Sequence, residues 1–161
     1  MKTKIILLTS LILMTFSSYS QYNGATPWSD CFGSNSGCEY AGCSAIEVIT
    51  SSSNPVVVIV KKYGKVIKHA YISSGSSYTF EVKDGTYQVF FYYGSSWNSR
   101  KKMSSDECSS LYGGWDHNEN VTKDDESITF SPSNRGTLTY TLSSVINGNF
   151  NTKPSSIKEA L

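Results

Sequence analysis

The chain has 161 residues, with 14 Lys and Arg against 13 Asp and Glu, a formal net charge of +1, and 13% aromatic residues. This near-neutral balance, without a basic stripe, excludes the electrostatic footprint of a nucleic-acid-binding protein. The length is that of one domain, which can bury roughly two-thirds of its unfolded surface.

Residues 1–20, MKTKIILLTSLILMTFSSYS, read as an export signal. Lys2 and Lys4 form a positive start, Ile5 to Phe16 is apolar, and Ser18 and Ser20 are the small residues a signal peptidase inspects. The apolar run is shorter than the ~20 residues of a membrane-spanning helix. A mature chain beginning at Gln21, without a membrane span, is therefore expected outside the cytoplasm, secreted or periplasmic. Its charge falls from +1 to −1 with the loss of the two lysines.

Residues 21–43 are rich in Gly, Ser, Asn and Cys and lack periodicity, as an irregular arm does. Cys31, Cys38, Cys43 and Cys108 are an even set in an exported chain, so disulfides are the default. All three possible pairings join Cys108 to the arm. Zinc would need paired short spacings such as C-x2-C, which are absent, so no metal and no cofactor is expected.

The β-sandwich domain is expected over residues 44–148. SAIEVIT at 44–50 is a first strand, ended by SSSNP. The stretch from Val56 to Tyr93 then holds four strand-like runs separated by three short turns. PVVVIV is apolar on both faces, which places it centrally in a sheet or under a second cover. In VIKHAYI, Ile67, His69 and Tyr71 fall on one face by alternation. YTFEV and TYQVFFYY alternate in the same way, the second becoming aromatic on both faces at Phe90 and Tyr92. Gly64 and Gly75 supply positive φ for turns, and Asp84-Gly85 is the strongest local hairpin signal. A meander of antiparallel strands is the first expectation, and a strand crossing to a second sheet is equally allowed.

Residues 94–126 lack alternation and read as a long irregular loop, a length that is often functional. Trp97, Tyr112 and Trp115 are the candidate ligand-binding residues there, against the plainer reading that they cover the end of the sandwich. Asp116, Asn118, Asn120 and Asp124 alternate like calcium ligands. Val121 stands where an EF-hand requires glycine and Ser127 where it requires glutamate, so that pattern fails. SITFS and GTLTYTLS add strands, bringing the total to about seven, the size of an immunoglobulin-like sandwich. Residues 149–161 read as a polar tail along the surface, anchored by Phe150.

The run VVVIVKKYGKVIKHAYISSGSSYTFEV followed by KDGTYQVFFYYG resembles the PEGA and carboxypeptidase-regulatory class of small sandwiches. The shared features are the I-x-x-G turn, the Y-T-F strand and G-T-Y-x-V. The resemblance implies an all-β, single antiparallel β-sandwich, immunoglobulin-like or transthyretin-like, and no activity. HAYI, SYTFEV, GTYQVFFYYG, Trp97-Asn98, the Met103 to Cys108 region and NGNF-x-TKPSS-x-x-EA are similar to a group of small exported bacterial proteins. Where that group carries G-x-G-W-N-P, this chain has Gly94-Ser95-Ser96-Trp97-Asn98-Ser99. That resemblance implies export and supplies no catalytic residue.

Chemistry rests on few residues. His69 and His117 are the two histidines, and no nucleophile elbow or phosphate-cradling motif accompanies them. Asp116, Glu119 and Asp124 offer carboxylates with no spacing that sets two across a cleft. The expectation is a non-catalytic binding or structural module whose partner is a glycan or a protein. The alternative is a small secreted hydrolase using a histidine with an acidic partner.

Overall fold

The structure is a computed structural model that describes residues 21–38, 42–51, 54–143 and 150–161. The expected export signal at 1–20 lies outside the described residues. After a one-turn helix α1 (Ser29–Phe32) come β1 (Ser44–Thr50), β2 (Val56–Lys62), β3 (Lys65–Ile72), β4 (Ser77–Val82) and β5 (Gly85–Met103). Then follow β6 (Leu111–Asp124), β7 (Ile128–Phe130), β8 (Thr137–Leu142), β9 (Thr152–Pro154) and α2 (Ile157–Ala160).

These strands form two packed sheets, a β-sandwich. One sheet has the order β4-β1-β8, and the other β3-β2-β5-β6-β9, with β7 beside the start of β5. β8 runs parallel to β1, and the other pairings are antiparallel. The meander expectation is corrected here. β2 and β3 form a hairpin, but β4 crosses to pair with β1, and β5 returns to pair with β2. The Asp84-Gly85 turn is that return crossing rather than a hairpin loop. Arg135 holds it by donating Nε to Asp84 Oδ1 at 3.1 Å and Nη2 to Oδ2 at 2.8 Å.

β2 is central because both its faces are covered. Val56, Val58 and Val60 pack into one core with Ile46, Val48, Phe80, Phe91 and Tyr140, between the sheets. Val57 and Ile59 face the other way, into a second core with Trp28, Phe90, Tyr92, Trp115 and the C-terminal Ala160 and Leu161. Residues 56–60 are all fully buried, and burying each such side chain contributes about 1.5–3 kcal/mol. The doubly apolar pattern of the sequence is thus the mark of a strand with a core on each side.

A register shift between Val60 and Lys61 places an extra residue in β3. Such a bulge reverses which side chains face which way. Ile67 therefore packs toward the inter-sheet core, whereas Tyr71 belongs to the other, so the expected common face of Ile67 with His69 and Tyr71 is broken.

Residues 94–126 are not an irregular loop. They are chiefly the outer halves of β5 and β6, paired from Phe90–Lys123 out to Met103–Leu111. The C-terminal residues add β9 to this sheet and end in α2, whose Ser156 cap accepts from the Glu159 N–H. Phe150 packs on Tyr140 and Phe91, with ring centroids 4.6 and 5.4 Å away. Among the described residues no helix is long and apolar enough to cross a membrane.

Candidate functional site

The N-terminal arm lies along the outer edge of β3 and brings an indole to a histidine. Gly24 N donates to Tyr71 O and Tyr71 N to Ala25 O, each at 2.8 Å, so the arm extends the sheet by one short rung. Further along, Asn35 clamps His69: its Oδ1 accepts from His69 N at 3.1 Å and its Nδ2 donates to His69 O at 2.8 Å. Between these clamps Trp28 N donates to His69 Nε2 at 3.0 Å. The imidazole stacks on the Trp28 ring at 5.6 Å and meets Phe32 edge-on at 6.0 Å. His69 is fully buried, and burial pushes its pKa down to about 4, with the Thr26 backbone pulling weakly the other way. An acceptor toward a backbone N–H requires the neutral ring, so hydrogen bond and titration agree.

The three candidate ligand residues separate on the β5–β6 ribbon. Trp115 is buried, donating Nε1 to Tyr92 O at 3.1 Å and receiving Trp97 edge-on at 5.0 Å. Trp97 is half-buried against Trp28, Tyr71 and Trp115. Tyr112 alone of the three is widely exposed, at 51%. Two glycines of the ribbon make room for the indoles. A Cβ on Gly94 would overlap the Trp115 side chain, and one on Gly113 would come within 2.9 Å of the Trp97 ring. Gly113 also has φ +110°, a region that favours glycine.

Polar groups of the ribbon satisfy one another. The Tyr92 hydroxyl donates to Glu119 Oε1 and accepts from Trp115 N at 3.0 Å, while Lys101 bonds Glu119 Oε2 at 2.8 Å and Trp115 O. Burial and the adjacent Glu119 carboxylate push the Tyr92 pKa far up, so the phenol stays protonated. Asp116 accepts two bonds from Asn98 Nδ2, at 3.1 and 3.2 Å. Asp124 takes the Tyr140 hydroxyl. His117 is exposed, opposite Ser95 across the ladder. Neither histidine ring is hydrogen-bonded to a carboxylate among the described residues. Nor do three or more His, Cys, Asp or Glu among them gather where they could hold a metal ion. Asp116, Asn118, Asn120 and Asp124, the calcium-like series, lie along β6.

The cysteines pair as Cys31–Cys108 and Cys38–Cys43. The first ties α1 to the β5–β6 connection across 77 positions, as the expected link between Cys108 and the arm requires. The second closes a short loop within the arm.

The two larger open clefts among the described residues lie elsewhere. One, of about 480 Å³, has Asp124, Asp125 and Glu126 on its rim and Tyr140 and Phe150 in its wall. Lys153 pairs with Asp125 at 3.0 Å there. The other, of about 390 Å³, lies beside the β2–β3 turn and is lined by Tyr63, Phe90, Thr86, Gln88, Ser127 and Glu159, among others. Tyr63 was not singled out by sequence reasoning, although K-Y-G-K between two strand runs marks an aromatic in a tight turn. Trp28 was also missed, although Pro27-Trp28 is an apolar interruption of a Gly- and Ser-rich arm.

Together these features define an all-β, two-sheet sandwich with a disulfide-tied arm over one sheet edge. No known family model, curated protein or solved structure matches the chain.

Proposed function

We infer that the chain is an exported, non-catalytic module that binds a partner on a rigid surface. The observation that carries this reading is the state of His69, the residue first in line for chemistry. Its ring is sealed under Trp28 and Phe32, and its Nε2 is engaged by a backbone N–H. Export is supported by two disulfides, which persist in oxidising compartments, and by the signal-like residues 1–20. We place the sandwich with PEGA-like and carboxypeptidase-regulatory-like domains on the residues from Val56 to Gly94, an assignment of fold and not of activity.

The competing reading is a hydrolase, and exposed His117 facing Ser95 across the ladder is what favours it. The deciding experiment offers the purified, oxidised protein a panel of chromogenic esters, glycosides and peptides. The module reading expects no turnover above the blank. Turnover that His117→Ala abolishes would overturn it.

A further inference from the structure

The β2–β3 turn carries a residue that its own fold does not explain. Tyr63 and Gly64 are the two central residues of the hairpin loop, with φ of 53° and 78°. Positive φ at both positions is the type I′ arrangement, which favours Asn, Asp or Gly at the first. An aromatic residue there holds an unfavourable backbone conformation, and such outliers persist where function retains them. Packing does not repay it. Tyr63 is 86% exposed, the most exposed large hydrophobic residue described, and its recorded ring contact is the Lys62 ammonium 5.6 Å from the centroid.

Tyr63 and Phe90 both line the 390 Å³ cleft beside this turn. That volume falls within the range of small-ligand sites, about 300–1,000 Å³. The polar rim is already fixed in place. Gln88 Nε2 donates to Asp124 O at 2.8 Å, and its Oε1 accepts from Ser127 Oγ at 3.3 Å. That commits one of the two amide hydrogens of Gln88. Thr86 and Thr129 share a hydroxyl hydrogen bond at 2.9 Å. Glu159 is held by Lys123 and by Ser155 Oγ, and Lys61 donates to its carbonyl at 2.7 Å.

We propose that this cleft binds a saccharide ring, stacked on Tyr63 and hydrogen-bonded along the Gln88–Glu159 rim. The proposal rests on the module reading and names its ligand class. A pyranose presents a C–H face and a girdle of hydroxyls that donate and accept. An exposed phenol ring beside amide, hydroxyl and carboxylate groups complements both. Nucleic acid or an anionic membrane would call for unpaired charge of one sign, and here Lys61 and Lys123 both bond Glu159. A protein partner would call for a wider apolar patch than one exposed ring.

The test is an array of neutral and acidic oligosaccharides probed with the oxidised protein, followed by calorimetric titration of the retained sugars. Tyr63→Asn suits the turn, so its thermal midpoint should equal or exceed that of the parent while its affinity falls at least tenfold. Tyr63→Trp should keep affinity within about threefold. An array without retained sugars overturns the proposal, as does a Tyr63→Asn protein that binds as tightly as the parent. An empty array with an idle substrate panel leaves the module reading standing, whereas turnover on the panel removes that reading itself.

Discussion

Lowering the pH should unfasten the N-terminal arm through His69. The folded ring titrates near 4, against 6.5 for an unperturbed histidine, because protonation would put a charge in a sealed aromatic pocket. It would also turn Nε2 from acceptor to donor against the Trp28 N–H, which is itself a donor. A histidine whose folded pKa is depressed contributes stability that is fully present above the unfolded pKa. That contribution is lost as pH falls toward the folded value, because the unfolded chain then binds the proton first. The full gap is worth about 3 kcal/mol, and about 2.5 kcal/mol should be gone by pH 4.5. Urea unfolding of the parent and of His69→Gln between pH 8 and 4 measures it. Glutamine keeps an oxygen acceptor near Nε2 and cannot be protonated in this range, while carboxylates common to both proteins cancel in the difference. The parent should lose about 2–3 kcal/mol more than the variant, and NMR should give a His69 midpoint of about 4. Parallel pH profiles would refute the reasoning.

Three further outcomes follow from the ribbon and the disulfides. Trp115→Ala should cost about 3–5 kcal/mol in urea unfolding, while Tyr112→Ala should change stability by less than about 0.5 kcal/mol; equal effects would show that the ribbon packs otherwise. Gly94→Ala places a methyl against the Trp115 side chain and should destabilise by about 1–3 kcal/mol, visible as a lower thermal midpoint. Replacing Cys31 and Cys108 by Ala should cost about 4.5 kcal/mol in the chain-entropy model for a loop of 77 positions, against about 2 kcal/mol for Cys38 and Cys43; partial reduction followed by unfolding would rank the two.

Alternation revealed the strands whose two faces meet different surroundings. β1, β4 and β8 carry it plainly, and β2 announced its two cores by being apolar throughout. It failed for the outer halves of β5 and β6, where Ser95, Asn98 and Lys102 are paired in a ladder that mostly faces solvent. Backbone hydrogen bonds leave no side-chain signature. Gly94 and Gly113 gave no strand signal, because glycine marks turns far more often than room for an indole from the facing strand. The bulge in β3 was equally silent, so alternation put Ile67 on the face of His69 and Tyr71. The site suffered most from this. Trp97, Tyr112 and Trp115 share a segment but not an exposure, and only the pairing of β5 with β6 separates them.

The covering of the sheet edges bears on where a partner can dock. An extended peptide could add to β3 only by displacing the arm, which Tyr71, His69 and the Cys31–Cys108 bond all hold. At the far side β9 is three residues long and ends at Pro154, a poor template for a further strand. Asn23 donates to Ser77 O, and Cys38 N reaches Glu81, so the arm also fringes β4. Recognition by strand addition is thereby disfavoured at these edges, and the burden passes to side chains displayed at strand ends. The β2–β3 turn is such an end, carried on the most deeply buried strand of the molecule. The turn backbone there is anchored by the core beneath β2, which reduces the ordering cost when a partner docks.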